Sequence, residues 1–219
     1  MKNFSSIGKP LIYLITDGEA TAENFEEKKA EILKLIKNAV QAKISLIQIR
    51  EKQISARLVF ELTAEAVKFT QNTDTKILMN DRADIALAAN ADGVHLTSRS
   101  LSAEVIRHNF PADFIIGVSA HTVESAEQAQ NQDADFATFS SIFDSPNKGN
   151  PQGLEKLREV CEKLKPFPII ALGGINETNY KSVLDNGASG FAAIRFLNDA
   201  RNIRKISRKG AKHAKKDEK

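Results

Sequence analysis

Several residues in this chain have types and spacings that could do chemistry. Gln48, Arg50 and Lys52 alternate with Ile47, Ile49 and Glu51. A period of two puts the three polar side chains on one face of a strand and the isoleucines on the other. Polar groups on an inward face are costly unless a partner satisfies them. Two cations among them point to an anionic ligand, most simply phosphate. The alternative is local pairing with Glu51 or Asp81. Asn80-Asp81-Arg82 closes a second apolar run. Asp81 suits a divalent cation beside bound phosphates, or a helix cap. In Ser119-Ala120-His121-Thr122 a histidine stands where a strand gives way to a helix, a place for an acid/base or for a cap. Lys148 lies in the breaker-rich stretch 143–152, long enough for a lid, and would bring it a phosphate contact. Gly173-Gly174 lets backbone approach a ligand closely. Arg195 closes the last apolar run. His95, mid-run, reads as a satisfied core group.

The elements that position these residues follow from hydrophobic pattern. Strand-like runs fall near 11–15, 46–49, 77–79, 93–96, 114–118, 136–139, 168–172 and 190–194. Between them lie amphipathic stripes. Ile32, Leu33, Ile36, Ala39 and Val40 mark a helix over 23–42, and Leu58, Leu62, Ala66 and Phe69 mark another over 55–71. Leu154, Leu157, Cys161 and Leu164 mark a third, with Cys161 a small apolar filler on its buried side. Buried runs alternating with helices predict a parallel sheet with helical crossovers. An echo supports this: Asn90-Ala91-Asp92-Gly93-Val94, Asp133-Ala134-Asp135-Phe136-Ala137 and Gly187-Ala188-Ser189-Gly190-Phe191 each close a helix and open a strand. Eight such units predict a (β/α)8 TIM barrel, an α/β fold. An open doubly wound sheet is the alternative, but no G-x-G-x-x-G follows the first strand. In a barrel, function sits at the C-terminal ends of the strands, where the groups above other than His95 fall, and phosphate often binds after strands seven and eight.

The chain of 219 residues, 42% hydrophobic and 27% charged, fits one domain with a sizeable core. No apolar run approaches the roughly 20 residues that cross a bilayer. The start, Met1-Lys2-Asn3-Phe4-Ser5-Ser6, has no long apolar stretch, which argues against a signal peptide. One cysteine excludes a disulfide framework and a multi-cysteine zinc site, so a cytoplasmic protein is expected. The net charge of +3 divides unevenly. Residues 201–219 hold nine Lys/Arg against Asp217 and Glu218, and residues 1–200 are net acidic. The body, 1–200, is expected to form the barrel, and 201–219 a solvated basic tail with no specific nucleic-acid or membrane partner.

Together the residues resemble a family. Tyr13-Leu14-Ile15-Thr16-Asp17, Gln48-Ile49-Arg50-Glu51-Lys52, Asn80-Asp81-Arg82-Ala83-Asp84, Ala91-Asp92-Gly93-Val94-His95-Leu96, Gly117-Val118-Ser119-Ala120-His121-Thr122 and Ala171-Leu172-Gly173-Gly174-Ile175 look like thiamine phosphate synthase and its sister, the thiazole tautomerase. The likeness is ordered and spans residues 10–197. It implies a TIM barrel that joins hydroxymethylpyrimidine pyrophosphate to thiazole phosphate. By the family pattern Gln48, Arg50, Lys52 and Asn80 hold the pyrimidine substrate, and Asp81 binds Mg²⁺. Ser119, Ser145, Asn147 and the catalytic candidate Lys148 contact the pyrimidine pyrophosphate. Gly174 and the backbone of Ile194 and Arg195 receive the thiazole phosphate.

Three departures mark this chain. Ser100 stands where the synthase has a second magnesium-binding aspartate, Ser145 and Asn147 where it has threonines, and Arg195 where it has a small serine. The Ser100 region and the Phe-rich sixth strand resemble the tautomerase, in which a histidine at the place of His121 moves a proton without metal. A non-catalytic binder of thiazole phosphate is a third reading. The retention of Gln48, Arg50, Lys52, Asn80, Asp81 and Lys148 favours the synthase, since a tautomerase has no need of a pyrophosphate site.

Overall fold

The computed structural model describes residues 10–145 and 149–206. The strands are β1 (Leu11–Ile15), β2 (Leu46–Ile49), β3 (Lys76–Asn80), β4 (Gly93–Leu96), β5 (Ile115–Ala120), β6 (Phe136–Phe139), β7 (Ile169–Leu172) and β8 (Gly190–Ala193). The helices are α1 (Phe25–Gln41), α2 (Ala56–Thr70), α3 (Ala83–Ala88), α4 (Ala103–Asn109), α5 (Val123–Asn131), α6 (Gly153–Lys163) and α7 (Tyr180–Asp185). All strand pairs are parallel in sequence order, and β8 pairs with β1 to close the barrel. The expected TIM barrel is the fold observed.

Pleating sorts each strand into two faces. Leu11, Tyr13, Ile15, Leu46, Leu78, Ile115, Phe136, Ile170 and Ala192 fill the interior. Ile47, Ile49, Ile77, Val94, Ala137 and Ile169 face outward and pack with Ile36, Leu62, Ala126, Leu157 and Val183 of the helices. Register carries the inner face round the barrel: Ile15 lies opposite Gln48, Asn80 opposite His95, and Ser119 opposite Thr138. Apart from Lys76 at the foot of β3, which pairs with Asp92, and the Tyr13 phenol, polar residues enter the interior towards the C-terminal ends of the strands.

The echo in the sequence has a physical cause. Lys43, Asn90, Asp133 and Gly187 follow α1, α3, α5 and α7 with φ of 57°, 56°, 57° and 92°. Each donates its N–H three residues back, to Val40, Leu87, Gln130 and Leu184. The next amide reaches five residues back, to Ala39, Ala86, Ala129 and Val183. These are Schellman helix ends, which satisfy the final carbonyls. The residue after that then ties the turn to a strand. Ser45, Asp92 and Asp135 accept from the N–H groups of Ile12, Ile77 and Ile116 at 3.2, 2.8 and 2.7 Å. These ties fix the turns at the bottom of the barrel to its strands, while function in such barrels sits at the top.

Residues 200–206 are helical, and Ile203 and Ile206 belong to the core. Packing therefore continues past the boundary expected at residue 200, because these two isoleucines cover the barrel wall. Residues 207–219 lie outside the described residues. No helix among the described residues is long and apolar enough to cross a membrane.

Candidate active site

The top of the barrel is built first around Gln48. It lies on the inner face of β2 at 2% exposure, and its Nε2 has no hydrogen-bond partner among the described residues. A buried amide left this way is costly unless a ligand completes it. β2 ends at Ile49, so Arg50 and Lys52 occupy the loop that follows and not the strand face expected for them. Glu51 causes the turn. It is 6% exposed and draws the chain inward, accepting from Thr16 Oγ1 at 2.6 Å and from Ala20 N–H at 3.0 Å. Burial raises its carboxyl above the usual range, against the lowering effect of those donors. Thr16 Oγ1 also accepts the Arg50 N–H at 2.9 Å. The Arg50 side chain lies over Gly18, whose φ is 82°; a Cβ there would stand 3.3 Å from Nη1. The β1–α1 loop and the β2 end are thus one braced unit. Arg50 is half-buried and Lys52 exposed.

Asp81 follows β3 with φ 66°, a left-handed conformation that Asp tolerates better than most residues. Its carboxylate accepts the Ser100 hydroxyl. It does not cap α3: the cap position is Arg82, with no side-chain cap bond, and Arg82 pairs with Asp84. The two positions that the family resemblance linked, Asp81 and Ser100, therefore touch. Asn80 lies beside them, opposite His95.

His121 is exposed at the end of β5, and Thr122, not His121, caps α5 with a capping box to Ser125. The His121 Nδ1 is 3.0 Å from the Ser140 carbonyl oxygen. Ser140 Oγ stands 3.2 Å from the same nitrogen, so Ser140 holds this side of the ring with both its carbonyl and its hydroxyl, and Nε2 is left to the mouth. Ser140, a partner that no motif marked, is legible only as the residue closing β6. Ser119 is half-buried on the inner face of β5, its Oγ 3.0 Å from His95 Nε2. His95 is buried as expected, and burial pulls its pKa down to about 3, which keeps it neutral.

The β6–α6 loop lies across β7. Phe143 N–H donates to the Gly173 carbonyl at 3.1 Å, and Ser145 Oγ to the Phe143 carbonyl at 3.4 Å. Gly174 has φ 65°, and a Cβ on it would meet Asp144 O at 2.5 Å. The close approach the glycines allow is thus to this loop, in addition to any ligand. The amides of Gly174, Ile194 and Arg195 have no acceptor among the described residues. Asn147 and Lys148 lie outside the described residues. At the opposite end of the barrel, Cys161, Pro166, Phe167 and Ala188 line a shallow cleft. Burial pushes the Cys161 thiol up to about 12, in keeping with an apolar filler.

No group of three or more His, Cys, Asp or Glu side chains is arranged to hold a metal among the described residues. One carboxylate with a neighbouring hydroxyl still fits Mg²⁺, which commonly takes one or two carboxylates and completes its shell with substrate phosphates and water.

A closed parallel barrel with a braced cationic loop, an unpartnered buried amide and open backbone N–H groups at its C-terminal mouth belongs to the enzymes of (β/α)8 architecture. The sequence profile described as thiamine monophosphate synthase matches residues 12–197, and the chain belongs to that family. A thiamine-phosphate synthase of Clostridium novyi is 37% identical over 186 residues, covering 84% of this chain and 88% of the relative. One from Clostridium acetobutylicum is 33% identical over 199 residues, covering 90% and 91%. The solved thiamine phosphate pyrophosphorylase of Pyrococcus furiosus superposes with a TM-score of 0.75 at 29% identity, covering 90% of this chain and 94% of that one.

Proposed function

We infer that the chain is a transferase that joins hydroxymethylpyrimidine pyrophosphate to thiazole phosphate, releasing pyrophosphate and forming thiamine phosphate. Family membership supports the activity. The structural observation that carries it is Gln48, a buried amide on the inner face with an unsatisfied Nε2. A pyrimidine ring nitrogen is an acceptor of the right kind for it.

In the reaction the pyrimidine methylene exchanges a pyrophosphate oxygen for the thiazole nitrogen. Charge gathers on the leaving pyrophosphate, so stabilising that charge is the main catalytic demand. Gln48 and Asn80 hold the pyrimidine, while Arg50 and Lys52 meet the pyrophosphate from the β2 side. Ser119, Ser145, Asn147 and Lys148 meet it from β5 and the β6–α6 loop. The open amides of Gly174, Ile194 and Arg195 receive the thiazole phosphate. Asp81, with Ser100 beside it, would hold Mg²⁺, which when bound supplies positive charge to the pyrophosphate.

The test is to incubate purified protein with both substrates, with and without Mg²⁺. Thiamine phosphate and pyrophosphate are expected in equal amounts, and only with the metal. A tautomerase reading draws on His121, exposed at the end of β5. It predicts metal-independent isomerisation of thiazole carboxylate phosphate and no thiamine phosphate.

A further inference from the structure

The barrel interior holds a polar chain that ends on Ser119 and whose other members the reaction above leaves unused. Tyr13 on β1, His95 on β4 and Ser119 on β5 follow one another across the lumen. Tyr13 Oη is 3.2 Å from His95 Nδ1, and His95 Nε2 is 3.0 Å from Ser119 Oγ. Thr138 Oγ1 stands 3.5 Å from the same Nε2. Phe136 packs edge-on against Tyr13 at 5.7 Å between centroids and lies 5.9 Å from the imidazole. Gly117 makes the room, since a Cβ there would come within 2.8 Å of His95 Nδ1. The ring is therefore fixed in place.

The directions of these hydrogen bonds follow from donor and acceptor supply. Burial raises the Tyr13 phenol well above its ordinary value, and the nearby Gln48 amide offsets that only in part, so the O–H keeps its proton. Its hydrogen-bond partner is His95 Nδ1. A buried O–H without an acceptor is unfavourable, and of the two hydroxyls that face the ring's single lone pair Tyr13 at 3.2 Å is better placed than Thr138 at 3.5 Å, so Tyr13 donates and Nδ1 is bare. A neutral imidazole has one ring proton, which must then sit on Nε2 and point at Ser119. Having accepted from His95, the Ser119 hydroxyl turns its own hydrogen elsewhere, and no acceptor for it exists among the described residues.

We propose that His95 is a positioning residue: by accepting from Tyr13 and donating to Ser119 it makes Ser119 a dedicated donor to the pyrophosphate in the mouth. The proposal rests on the synthase reading for the identity of that anion. The alternative it excludes is the Nδ1–H tautomer, with the Gln48 amide turned so that its oxygen accepts from Tyr13.

Two-bond ¹H–¹⁵N spectra of the histidine rings read the tautomer directly, with His95 assigned by its loss in His95→Asn. Nε2–H is expected in the wild type near neutral pH, and Tyr13→Phe should admit the other tautomer. Nδ1–H in the wild type overturns the proposal. Calorimetry with inorganic pyrophosphate and Mg²⁺ reads the consequence. Ser119→Ala and His95→Asn, whose shorter amide does not reach Ser119, should each weaken binding about tenfold. The double variant should fall no more than about twofold below the worse single, and His95→Gln, which restores a donor at the Nε2 position, should recover most of the loss. An additive loss of about a hundredfold overturns the proposal. If His95→Asn does not fold, Tyr13→Phe takes its place: about a threefold loss with Ser119 present and none in the Ser119→Ala background. Absence of thiamine phosphate formation by the wild type sinks the synthase reading, whereas the tautomer result stands by itself.

Discussion

Asp81 sits at a strand end in a left-handed conformation and holds a neighbour's hydroxyl. A carboxylate kept in that way is suited to a metal that arrives with its substrate. Asp81→Ala should therefore remove most magnesium-dependent synthesis, by about 10² or more, and retention of full activity at limiting Mg²⁺ would show the assignment to be wrong. Ser100→Asp tests the same pair from the other side. A second carboxylate beside the first should lower the Mg²⁺ concentration for half-maximal rate by about tenfold, and should cost some stability without metal through like-charge repulsion. His121 separates the two branches of the family. Its Nδ1 is held by the Ser140 carbonyl and hydroxyl, and leaving-group departure asks little of the other ring nitrogen. His121→Asn should lower thiamine phosphate formation by less than about tenfold, while Lys148→Ala, which removes a cation from the leaving pyrophosphate, should cost about 10² or more. The reverse order, with thiazole isomerisation detected, would move the chain to the tautomerase branch.

At the scale of elements, the site depends on two braces. Thr16 and Glu51 lock the β1–α1 loop to the end of β2, and Gly173-Gly174 accept the β6–α6 loop across β7. Gly174→Ala would put a Cβ 2.5 Å from the Asp144 carbonyl at a φ of 65°. It should destabilise the fold by about 1–3 kcal/mol and raise the KM for thiazole phosphate more than it lowers kcat, checked by denaturant titration and initial rates. These braces show where sequence stops being legible. The eight strands were readable because each is a buried apolar run, and the inward face of Gln48 was readable from Ile47 and Ile49. The end of β2 was not. Spacing carried Arg50 and Lys52 onto the strand face, because nothing local shows that Thr16, 35 residues away from Glu51 in sequence, will draw that carboxylate inward. Likewise Gly-Gly announced a close approach without saying to what, and Ser140 carried no motif at all. Contacts between distant loops are set by barrel closure, not by period.

The whole molecule combines an apolar lower barrel with a polar upper one, and His95 stands where they meet. Truncation after residue 207 leaves Ile203 and Ile206 in place, so folding and turnover should survive it; a large loss of soluble protein would show that the removed segment contributes. The acid limb of stability is a sharper reading of the interior. Burial lowers the His95 pKa from 6.5 to about 3, so the unfolded chain takes up a proton there before the folded one does. The stability this histidine contributes is complete above its ordinary value and is lost as pH falls towards the folded one, at about 1.4 kcal/mol per pH unit. Glu51 has the opposite sign. Its carboxyl is raised by burial, so its contribution holds at low pH and is lost as pH rises through the raised value. A comparison of wild type with His95→Asn cancels Glu51 and every other carboxylate common to both. Denaturant titrations at a series of pH values should show the wild type losing stability relative to the variant between about pH 6.5 and pH 4. A difference that stays constant across that interval would mean the histidine charges freely in the folded barrel, and the neutral relay from Tyr13 to Ser119 could not operate.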